Sequence, residues 1–115
     1  MNVTHVNSYR QLLSGIENGR RHAILKFSGR RCLPCTTFAS RLVDIKDADI
    51  DVFDVDLFEN KMIGRIFSIK ALPTAIFFED KIPKYHMVGL KEADDFLRIA
   101  RDVARDNCVF VDWDA

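Results

Sequence analysis

Two cysteines, Cys32 and Cys35, are separated only by Leu33 and Pro34 in "FSGRRCLPCTTF", residues 27 to 38. A pair at this spacing can exchange a dithiol for a disulfide, supply half of a zinc site, or act as a structural staple. Its setting favours exchange. The cysteines follow a short apolar run, "HAILKF" (His22–Phe27), which reads as a buried strand, and they open a segment with helical periodicity. A helix N-terminus presents unsatisfied N–H groups and a partial positive charge, both of which stabilise a thiolate at Cys32. Arg30 and Arg31 add positive charge, and a lowered thiol pKa enlarges the reactive fraction at neutral pH. Pro34 falls inside the first turn, where a missing N–H costs little. Cys35 would lie one turn in, deeper and less reactive. Zinc needs four ligands, and only Cys108 and the scattered His5, His22 and His86 remain, none at a paired spacing. A purely structural disulfide and a site used only for binding stay open as lesser readings.

A second stretch, "IKALPTAIFF" (residues 69 to 78), places Pro73 at the entry of a strand. Proline cannot donate to a sheet and is tolerated there. A trans Leu72–Pro73 bond is the default on base rates, and the local sequence does not choose cis.

The elements that must position these residues alternate. "NVTHV" (Asn2–Val6) opens as a strand, Ser8 suits an N-cap for a helix stopped at Gly19, and His22–Phe27 follows as a strand. After the cysteines, Phe38, Leu42 and Ile45 share one helical face. Ile50–Asp56 is a strand, and Asn60–Ile69 is a short helix with Ile63, Ile66 and Phe67 inward. Thr74–Asp80 and Lys84–Gly89 are strands joined by a turn at Glu79–Lys81. Lys91–Asp106 is a helix whose Phe96, Leu97, Ala100, Val103 and Ala104 form a stripe. Helices between strands imply parallel crossovers, and the last two strands imply a hairpin. The expected class is α/β: three layers, α/β/α, with a central mixed sheet of four to five strands and four helices.

With these two motifs in this order, the chain resembles a thioredoxin. "FSGRRCLPCTTFASRLVDI" is similar to the family's strand–WCGPC–helix segment, and "IKALPTAIFFEDKIPKYHMVG" to its cis-proline loop, hairpin and following glycine. The likeness runs from about Asn2 to Arg105. It implies that Cys32 is the nucleophile, Cys35 the resolving thiol, and Pro73 a cis-proline beside them. Leu72, Arg31, Leu33 and Pro34 would support the site, and Gly89 would match the glycine that leaves room at the substrate groove. It also implies protein disulfides as substrates and an electron donor, a thioredoxin reductase or a glutaredoxin-like system.

The departures are specific. Arg31 stands where the family usually has Trp, Leu33 where it has Gly, and Ser28 where it has another aromatic. Lys26 replaces a buried Asp thought to relay protons to the resolving cysteine, and the family's partner lysine aligns near Val52. Lys26 is expected to reach solvent along its stem. The alternative is a charge swap with Asp54 on the neighbouring strand. Proton transfer at Cys35 would then lack its usual base, and the rim, with Arg31, would favour acidic or polar partners.

The remaining features set bounds. At 115 residues with 17 basic and 17 acidic residues, the chain is one domain with no argument for nucleic-acid binding. No stretch reaches transmembrane length, and "MNVTHVNSYRQLL" lacks a basic segment followed by an apolar run, so a cytoplasmic location is expected. The odd cysteine count argues against a disulfide framework. No metal or organic cofactor is expected, and a monomer is the default. The acids of "DIKDADIDVFDVD" read as loop and strand-edge solvation, the arginines of both "GRR" stretches as solvated, and the histidines receive no role. Residues 1–106 form the domain. Residues 107–115, "NCVFVDWDA", are an acidic-aromatic extension in which Val109, Val111 and Trp113 are expected to dock on the body. The combined expectation is a protein disulfide reductase; the rival is a binding module of the same fold with dispensable cysteines.

Overall fold

In the computed structural model, residues 1–106 are described. Their order is β1 (Asn2–His5), α1 (Tyr9–Asn18), β2 (His22–Ser28), α2 (Leu33–Arg41), β3 (Asp51–Asp56), α3 (Lys61–Ile66), β4 (Thr74–Glu79), β5 (Ile82–Val88) and α4 (Ala93–Asp106). The expected docking of Val109, Val111 and Trp113, and the setting of Cys108, lie outside the described residues.

The sheet order is β1-β3-β2-β4-β5. β1, β3 and β2 run parallel, as crossover helices require, and β4 and β5 are antiparallel to their neighbours. The mixed α/β/α architecture is the expected one. Ser8 caps α1, its side chain accepting from the Gln11 N–H at 3.1 Å. Asp80 and Lys81 form a two-residue hairpin turn with φ of 52° and 69°. Positive φ at both positions gives the turn whose twist matches the strands it joins.

Helices cover both faces, so β2 is buried along six successive residues. On one face Ile24, Val52, Ala75 and Phe77 pack against Phe38 and Leu42 from the α2 side and Phe96 and Ala100 of α4. On the other, Leu25, Phe27, Phe53 and Val55 pack against Leu12 of α1 and Ile63 of α3. Each large side chain so buried contributes about 1.5–3 kcal/mol. The Phe38 and Phe96 rings meet edge to face at 6.3 Å, which ties α2 to α4.

Several elements depart from expectation for local reasons. The helix after the cysteines does not run unbroken to Ile45: α2 ends at Arg41 and a 3-10 turn covers Leu42–Ile45. Leu42 and Ile45 are both buried, and 3-10 geometry stacks residues three apart on one face. α3 stops early in a Schellman motif: Ser68 has φ 54°, its N–H donates to the Arg65 carbonyl, and the Ile69 N–H donates to the Gly64 carbonyl. That stop leaves Ile66 exposed, not inward. β5 begins at Ile82, and Pro83 is tolerated because β5 is an edge strand. Gly19 ends α1 in an extended conformation; a Cβ there would collide with the Asp51 carboxylate and the Gly15 carbonyl. Close approach, not a left-handed turn, demands the glycine.

The acids are not all solvated either. Asp51 is buried and accepts from the Arg20 backbone N–H at 2.8 Å and from its guanidinium at 2.5 Å, with Asp49 completing the clamp at 2.6 Å. Hydrogen bonds donated to Asp51 and then Asp49 hold the Arg20 guanidinium above its ordinary pKa.

Candidate active site

β2 ends at Ser28, and the loop of residues 29–31 carries the chain to Cys32, the N-cap of α2. The Cys32 sulfur accepts from the Cys35 backbone N–H at 3.2 Å, and its carbonyl accepts from the N–H groups of Cys35 and Thr36. A sulfur in this position is held against the positive end of the helix, where negative charge on it is favoured. Cys32 and Cys35 are joined in a disulfide. Cys35 is 5% exposed, while Cys32 is half-buried and flanked by exposed Arg31, Leu33 and Pro34. An attacking thiol from another molecule therefore has a path to Cys32 and none of comparable width to Cys35.

The second motif closes over this loop. The Leu72–Pro73 bond is cis, as the resemblance implies, and Pro73 is fully buried. Its carbonyl accepts from the Gly89 N–H at 2.7 Å. Gly89 has φ 74°, so its backbone alone asks for glycine; a Cβ there would meet nothing within 4 Å. The open space beyond Gly89 is outside the chain. Gly29 supplies the contact between the motifs: a Cβ there would sit 2.8 Å from both Leu72 and Phe58.

The two arginines before Cys32 have different fates. Arg30 pairs with Glu59 at 2.8 Å and lies over the Phe58 ring at 5.9 Å, so its charge is already committed. Among the described residues Arg31 makes no ion pair, and it holds φ 55°, a left-handed conformation that costs a non-glycine residue about 1–2 kcal/mol. The sequence carries no signal of that strain, because arginine is not a residue that turns select.

The expectation for Lys26 is overturned. Lys26 is 8% exposed, not stretched to solvent, and its Nζ lies 3.7 Å from Asp54 Oδ1. The register explains why: Lys26 stands directly opposite Asp54, so the swap occurs there and not at Val52. Both follow Ile24 and Val52 along the face that α2 covers. Asp54 also accepts from the Ser28 hydroxyl at 3.2 Å and contacts His5 Nδ1 at 3.1 Å. This one carboxylate thus gathers Lys26, Ser28 and an exposed histidine to which the sequence assigned no role. His22 likewise has a partner, the buried Glu79 at 3.2 Å. Such pairings join residues far apart in sequence, and only the strand register could have revealed them. Among the described residues no cluster of His, Cys, Asp or Glu could hold a metal ion, and no helix is long and apolar enough to cross a membrane.

A redox-spaced cysteine pair on the first turn of a helix that follows a parallel strand, together with a cis-proline at a strand entry, defines a thiol–disulfide oxidoreductase scaffold. The thioredoxin family model matches residues 3–102, and the chain belongs to the thioredoxin family. It is 27% identical over 86 residues to thioredoxin H3 of Arabidopsis thaliana, covering 73% of each. Its fold is similar to that of a thioredoxin from Trypanosoma brucei brucei (TM-score 0.78, 22% identity, covering 91% of this chain and 93% of that one). It is also similar to a mutant thioredoxin from Halobacterium salinarum (TM-score 0.78, 18% identity, covering 90% of each).

Proposed function

We propose that this chain is a protein disulfide reductase that cycles between a Cys32–Cys35 dithiol and disulfide. The observation that carries this reading is the asymmetry of the pair: Cys32 is reachable at the helix cap, and Cys35 is 5% exposed beneath it. In the reduced form the Cys32 thiolate attacks one sulfur of a substrate disulfide. A mixed disulfide forms and the first substrate sulfur leaves as a thiolate. Cys35, deprotonated, then attacks the Cys32 sulfur, which forms the internal disulfide and releases the second substrate thiolate. The substrate has gained two electrons, and a reductase acting on the Cys32–Cys35 disulfide must return them. In this reading Pro73 and Leu72 wall the site, Gly89 leaves space for the substrate backbone, and Arg31, Leu33 and Pro34 form the rim. A reducing compartment, the cytoplasm, suits a pair used this way.

Insulin reduction coupled to an equilibrium redox titration tests the reading. The wild-type chain should reduce insulin, and Cys32→Ser should abolish turnover. At neutral pH an alkylating agent should label Cys32 ahead of Cys35. Wild-type protein without activity, or preferential labelling of Cys35, would move the assignment to the binding-module reading.

A further inference from the structure

A groove of about 580 Å³ lies between α3 and the loop that leads to Pro73. Its floor is apolar: Leu57, Phe58 and Leu72. Its rim is cationic: Lys61, Arg65 and Lys70, all exposed. Among the described residues no carboxylate lines it, although acids equal bases over the whole chain. Across Ser68–Lys70 a second groove, of about 620 Å³, continues the pattern with Lys84 and His86 and, among the described residues, again no carboxylate. Exposed apolar side chains stand nearby: Phe58 at the floor, and Met62 and Ile66 one turn apart on α3.

The groove adjoins the loop that leads to Cys32. Leu72 precedes Pro73, and Phe58 and Leu72 together fill the space over Gly29, three residues before Cys32. Anything seated here is held against the loop that carries Cys32. Its chemistry is set by an apolar floor, which desolvates an apolar anchor, and by a one-sign rim, which attracts and orients negative charge.

We infer that this groove docks an acidic segment of the protein substrate through an apolar anchor side chain, and so selects which disulfides reach Cys32. The inference rests on the reductase reading for its consequence but not for its binding step. A single-stranded nucleic acid fits less well. That mode needs several stacking platforms, whereas the floor offers one aromatic ring, Phe58, which already lies under Arg30.

The test is equilibrium binding, read independently of turnover. Two fluorescein-labelled, cysteine-free peptides share a central phenylalanine, flanked in one by glutamates and in the other by lysines. Anisotropy with the full chain should show the glutamate peptide binding several-fold more tightly, with affinity falling as salt rises. Lys61→Glu/Arg65→Glu/Lys70→Glu should weaken it by about tenfold, the product of three modest rim contributions. The single Lys61→Glu, on an exposed side chain, should give part of that loss and keeps the result readable if the triple variant misfolds. Equal affinity for both peptides, unchanged affinity in Lys61→Glu, or tighter binding of a single-stranded oligonucleotide would overturn the inference. Loss of insulin reduction with retained peptide discrimination would instead remove the reductase reading and leave the docking surface standing.

Discussion

β2 carries a buried basic side chain near each end, and the two are handled differently. At its start, His22 meets Glu79 across the sheet, with side chains 6% and 3% exposed and Phe77 stacked on the imidazole at 5.7 Å. Near its end, Lys26 meets Asp54, but Asp54 also reaches Ser28 and the exposed His5. The first pair is sealed, and the second is connected to the surface on the side where the cysteines lie. The bases differ too. An imidazole can donate a hydrogen bond to a carboxylate whether neutral or charged, while an ammonium brings a full charge.

The sharpest way to break this comparison is Asp54→Ala. It leaves Lys26 buried without a counter-charge and should lower stability by about 3–5 kcal/mol, measured by urea unfolding. Glu79→Gln should be milder, about 1–3 kcal/mol; an equal or larger loss would show that the two pairs are equivalent. The relay question follows. A lone Lys26→Asp would set two carboxylates against each other, so the informative variant is Lys26→Asp/Asp54→Lys. It should unfold later than either single variant. It should also reduce insulin up to several-fold faster near neutral pH, because a carboxylate then stands on the face beneath α2 where a base can help deprotonate Cys35. An unchanged rate in the folded double variant would mean that water or another group moves that proton. The smallest effect belongs outside the core. Glu59→Ala removes the partner of Arg30 at a pair in which both side chains are about two-thirds exposed, and it should change stability by less than about 1 kcal/mol.

Much of the architecture was legible because hydrophobic period and punctuation agreed. Ser8, the apolar run from His22 to Phe27 and the stripe through Phe96 and Ala100 each pointed to one element. The position of Cys32 was legible for the same reason, since a cysteine between a buried strand and a helix falls at the cap. What stayed hidden was anything set by the pairing of distant strands. "IDVFDVD" alternates, which suggests an open face, yet helices cover both faces and its acids Asp51 and Asp54 are paired with Arg20 and Lys26. Ile66 lies inside α3, but on so short a helix only the side at Ile63 and Gly64 is buried, and Ile66 falls outside it. Phe58, now central to the groove, sits in a turn where no periodicity marks it.

The central place of β2 has a consequence for motion. Its backbone is hydrogen-bonded to strands on both edges and its side chains are packed on both faces. Amides from Ile24 to Phe27 should therefore exchange with deuterium only through global unfolding. Cys32 hangs a short loop away from this doubly packed strand. The thiol's placement is fixed when the chain folds, and each catalytic cycle begins from a sulfur that does not have to be found again.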